Sequence, residues 1–118
     1  MERNQVRAET ETLIPNLGEC AARLRQWHGA RARIWRYHAS LSRLAICLIP
    51  KGPSAPVYLL ASTCEFIRGP FSWDNNAMEI LIDSERSIRV IDESAGFELV
   101  CNSVSMWEDV IGEFEFDQ

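Results

Sequence analysis

Apolar residues first recur at helical spacing. Leu13, Leu17, Cys20, Ala21, Leu24 and Trp27 fall three and four positions apart and make one stripe. The stripe predicts a helix over 17–28. Asn16 and Glu19 have the spacing of a capping box, Pro15 interrupts any smooth continuation upstream, and Gly29 suits a helix stop.

The period then changes from near four to two. Residues 31–38 carry Ile34, Trp35 and Tyr37 among arginines, the pattern of a half-exposed strand. Residues 43–49 (Leu44, Ala45, Ile46, Cys47, Leu48, Ile49) are apolar on both faces, as a central strand is, and 39–42 is a short hairpin turn. A proline-rich turn over 51–56 leads to a third apolar run, 57–64. Residues 65–76, with Gly69, Pro70 and Asn75–Asn76, read as a loop carrying Phe71 and Trp73. Met78, Ile80 and Ile82 alternate with polar neighbours, and two further strands follow at 88–91 and 97–101. The connections are too short for parallel crossovers, so the sheet is antiparallel.

Ser105 and Glu108 have capping-box spacing, and Trp107, Val110, Ile111 and Phe114 repeat at three and four. They predict a short C-terminal helix. The expected fold class is α+β: an N-terminal helix, a six-stranded antiparallel sheet that is mostly a meander, and a C-terminal helix packed on one face. A length of 118 residues fits a single domain, 1–118.

Composition narrows the function classes. Apolar residues make up 47% and charged residues 25%, which excludes a disordered tail, a fibre and a disulfide-dense toxin. No uncharged run is long enough for a membrane helix, and the charged N-terminus lacks a signal-peptide core, so the expected location is cytoplasmic. Cys20, Cys47, Cys64 and Cys101 include no C-x-x-C pair and read as buried thiols without metal. Phosphate-loop, dinucleotide, nucleophile-elbow and H-E-x-x-H motifs are all absent, so neither a catalytic residue nor a cofactor is assigned.

Charge is the strongest remaining signal. The net charge is −5, but residues 20–43 hold six arginines and no acid, whereas residues 90–118 hold eight acids and no Lys or Arg. The segment with Glu108, Asp109, Glu113 and Glu115 is therefore expected against the basic 23–43 region, within one chain or across a homodimer. The densest polar cluster is Arg36, His38, Ser40 and Arg43, a set suited to an anion or a partner; Phe71 and Trp73 form a second candidate, since loop aromatics anchor interfaces. The acidic balance argues against a nucleic-acid partner despite interleaved arginines and aromatics.

These features lead to an expected non-enzymatic protein-binding domain, such as a bacterial accessory, immunity-like or chaperone-like factor, whose partner is another protein or a second copy. The alternatives are a small-molecule site on a concave sheet face with the helix as lid, and an enzyme centred on His38.

Overall fold

The structure is a computed structural model that describes residues 17–84 and 87–108. Helix α1 (Leu17–Gln26) buries Leu17, Cys20 and Leu24 on the stripe read from the sequence. Trp27 N–H and His28 N–H continue with tighter bonds to Leu24 and Arg25 carbonyls, and Gly29, at φ +96°, turns the chain away.

Nine strands follow among the described residues, all paired antiparallel: β1 (Arg31–His38), β2 (Arg43–Ile49), β3 (Val57–Ser62), β4 (Phe66–Arg68), β5 (Ser72–Trp73), β6 (Glu79–Ser84), β7 (Ser87–Asp92), β8 (Phe97–Cys101) and β9 (Ser103–Trp107). They form two sheets, a five-stranded one in the order β5-β1-β2-β3-β9 and a four-stranded one in the order β4-β8-β7-β6. One apolar core takes residues from both sheets and from α1, among them Leu24, Ile46, Leu59, Ile88, Val90 and Leu99. The helix lies against β9 and β6, the edge strands of the two sheets, and closes that side of the core. Two ion pairs sit along this seam, Arg23 with Glu108 at 3.1 Å and Arg25 with Glu79 at 2.9 Å, and His28 Nε2 lies 2.7 Å from the Met78 carbonyl.

The α+β class with an N-terminal helix and antiparallel strands agrees with expectation, but the single six-stranded sheet gives way to nine strands in two sheets. Gly69 and Pro70 split the expected loop into β4 and β5, which are too short for a periodic signal and join different sheets. Gly69 has φ +130°, and a Cβ there would lie 2.9 Å from Phe97 Cα, so only glycine fits. The expected C-terminal helix does not begin at Ser105. Val104 and Met106 face the core while Ser103, Ser105 and Trp107 do not, a period of two satisfied by pairing with β3. The remainder of that expected helix lies outside the described residues.

Two buried polar side chains hold these layers in place. Asn76 donates to the Trp27 and Ala30 carbonyls, both at 2.9 Å, and accepts from Met78 N–H at 3.1 Å. Asp92 accepts from Ser94 Oγ (2.6 Å), Trp73 Nε1 (2.8 Å) and Ala77 N–H (2.8 Å). Burial alone would raise the Asp92 pKa, but these donors together hold it below the ordinary carboxylate value.

Leu24 is fully buried, so Leu24→Ala is expected to cost about 2–5 kcal/mol. A thermal melt unchanged within about a degree would contradict that packing. Because its folded pKa is lowered, Asp92 stabilises the fold above the unfolded value near 3.8 and loses that contribution as pH falls below it. Asp92→Asn should therefore cost about 1–3 kcal/mol at neutral pH and less at pH 3. Denaturant midpoints at the two pH values check this, and an equal loss at both would contradict it.

Candidate functional site

Strand β2 is buried over Leu44–Leu48, on both of its faces. Leu44, Ile46 and Leu48 enter the main core, whereas Ala45 and Leu60 of β3 form a separate cluster with Tyr58, on the outer face of the five-stranded sheet. No residue of α1 or of the four-stranded sheet belongs to this cluster.

Pairing register places the surroundings. Arg33, Cys47, Tyr58 and Trp107 form one row across β1, β2, β3 and β9; Arg36, Ala45, Leu60 and Ser105 form the next. Between Ile34 and Arg36 the ladder shifts, leaving Trp35 as an extra residue in β1. The bulge changes the parity of the strand. Trp35 meets Tyr58 edge-on, with ring centroids 5.1 Å apart, and the Arg36 guanidinium lies 5.8 Å from the Trp35 ring centroid. A cleft of about 430 Å³ is lined by Arg33, Trp35, Arg36, Cys47, Ile49 and Tyr58. No α1 residue lines it, so the helix is not its lid.

The expected polar cluster is partly assembled here. Arg36 lies on the outer face; His38 pairs in register with Arg43 one step along the same face. Ser40 stands in the 3₁₀ turn between β1 and β2, with its hydroxyl 3.1 Å from His38 Nδ1. Phe71 and Trp73 are elsewhere and part company. Phe71 is 82% exposed beside β1, where its carbonyl accepts from Ile34 N–H. Trp73 packs on Phe97 with centroids 4.7 Å apart and bonds to Asp92, which gives it a structural role.

Arg33 and Trp35 belong to the interleaved arginines and aromatics of the sequence, whereas nothing in the sequence singled out Tyr58 or Leu60. Regular alternation would put Trp35 on one face with Tyr37 and opposite Arg36, and the bulge undoes that arrangement. Two signals pointed to the face: β2 is apolar at odd as well as even positions, and so is the run 57–61.

Among the described residues no three His, Cys, Asp or Glu side chains gather as a metal site. Burial pushes the Cys20 and Cys64 thiols up to about 11 and Cys101 to about 12. On the outer face, burial raises both Cys47 and Tyr58, and the bond between them opposes the Cys47 shift. Free thiols of this kind are protonated and unreactive at neutral pH. All four should react with a disulfide reagent at pH 8 at least about tenfold more slowly than glutathione, and quickly once the chain is unfolded. One thiol labelling at the glutathione rate in the folded protein would contradict this.

Compared with known proteins, the chain matches no protein-family model, no curated protein and no solved structure.

Proposed function

We propose that this chain, as one α+β domain, is a non-enzymatic protein-binding module whose outer sheet face takes an acidic, aromatic-bearing segment of a partner. The observation that carries the reading is the apolar Ala45–Leu60–Tyr58 patch with Trp35 at its edge and Arg33 and Arg36 beside it. Such a combination suits a ligand with rings to bury and carboxylates to pair. Aromatic and arginine side chains are the usual interface anchors, and arginine pairs carboxylates through a planar fork.

Charge favours a protein segment over nucleic acid. Among the described residues Arg23, Arg25 and Arg31 already face Glu108, Glu79 and Asp74, which weakens the positive field that a phosphate backbone would meet. The net charge of −5 adds a general repulsion of polyanions. Free thiols suit a reducing, cytoplasmic setting. Among the described residues no helix is long and apolar enough to cross a membrane.

The test is a titration of the full chain with a short capped peptide carrying two phenylalanines among glutamates. Saturable binding is expected, weakened at least about tenfold by the pair Arg33→Glu and Arg36→Glu and by replacing the peptide's glutamates with glutamines. Tighter binding of a single-stranded oligothymidylate than of the peptide would overturn the reading, as would peptide binding indifferent to both changes.

A further inference from the structure

Three segments meet where the β1–β2 ladder ends at the Arg31 and Ile49 pair: the exit of α1 (27–30), the exit of β2 (49–51) and the loop 74–76. Asn76 ties the first to the third. Its side chain donates to the Trp27 and Ala30 carbonyls, its N–H donates to Ala30 at 3.0 Å, and its carbonyl accepts from Gly29 N–H at 2.8 Å. Lys51 ties the second to the third, donating from Nζ to Asn75 Oδ1 at 3.0 Å.

Two clefts open among these segments, of about 470 and 380 Å³, with Gly29, Pro50 and Lys51 as common walls. Both have the size of small-ligand sites. Trp27 lines the larger one, and it and Pro50 are half-buried apolar groups. Arg31 and Asp74 line the smaller one and pair with each other at 3.6 Å.

Lys51 is the one cation here without a carboxylate. It is the only lysine of the chain, and among the described residues its ammonium bonds only to a neutral amide. An ammonium has three N–H donors, so two remain, and Asn75 keeps its Nδ2 donors because it accepts through Oδ1. One uncompensated ammonium matches a single negative charge, and the Asp74 carboxylate in the adjoining cleft opposes a doubly charged phosphate. The bonds through Asn76 and Lys51 fix the walls in advance, which lowers the cost of ordering a ligand.

We propose that this junction binds a small aromatic carboxylate, its ring between Trp27 and Pro50 and its carboxylate on Lys51 Nζ and Asn75 Nδ2. None of these four residues lines the outer-face cleft, so the proposal stands apart from the reading of that face.

The test is a titration of the full chain with phenylacetate, followed by amide and indole N–H chemical shifts. Saturable shifts below about 10 mM are expected at Trp27, Gly29, Lys51 and Asn75. Phenylacetamide, the neutral analogue, and inorganic phosphate are each expected to bind at least about tenfold more weakly than phenylacetate, and Lys51→Gln to weaken phenylacetate by a similar factor. Absence of saturation overturns the proposal, as does equal affinity for the amide, tighter binding of phosphate, or shifts centred on Trp35 and Tyr58; these outcomes are read on the parent chain, whatever the folding of the variant. Unchanged affinity in a folded Lys51→Gln variant also overturns it.

Discussion

Burial of β2 on both faces is the constraint on which the arrangement depends. One face is met by the core shared with the four-stranded sheet and α1; the other has no such layer among the described residues. An antiparallel sheet tolerates water on one side when that side is polar, but Ala45, Cys47 and Leu60 are not polar. On that face Tyr58 packs against Ala45 and Leu60. The bulge at Trp35 brings an indole and a guanidinium to the same side of β1, and Tyr58 meets the indole from β3. These groups present rings and positive charge on the proposed binding face.

The opposite side of the molecule explains why this face keeps its shape. Asn76 joins the exit of α1 and the start of β1 to the entry of β6, through side-chain and main-chain bonds together. Asp92, at the end of β7, grips the adjacent Ala77 and the Trp73 ring of β5, which pairs with β1. Strand β1 is thus anchored through both sheets. The segregated charges divide between two tasks: Arg23 and Arg25 fasten α1 to Glu108 and Glu79, whereas Arg33 and Arg36 border the outer cleft. Exposed pairs of this kind contribute about 0–1 kcal/mol each, so their main effect is on orientation.

Long periodic elements were legible in the sequence: α1 from its stripe, β1 to β3 and β6 to β8 from alternation and turn residues. The division into two sheets was not, because it turns on β4 and β5, whose three and two residues carry no period. At Ser105 a capping-box pattern competed with alternation, and pairing of β9 with β3 decided for strand. Of the acidic segment expected against the basic region, Glu108 meets Arg23, and Asp109, Glu113 and Glu115 lie outside the described residues. In the candidate site, Arg36, His38 and Arg43 were legible as a cluster. Trp35 and Tyr58 were not, since a bulge reverses parity without any glycine to announce it, and Tyr58 becomes a neighbour only through the register of β1, β2 and β3.

The central claim, that recognition takes place on the outer face of the five-stranded sheet, is tested most directly by mapping amide chemical shifts of the full chain during a titration with the glutamate–phenylalanine peptide. The account predicts shifts clustered at Arg33–Arg36, Ala45–Cys47, Tyr58–Leu60 and Ser105–Trp107, absent when glutamine replaces glutamate in the peptide. Shifts centred instead on Phe66–Arg68 and Leu81 of the other sheet, or on α1, would contradict it.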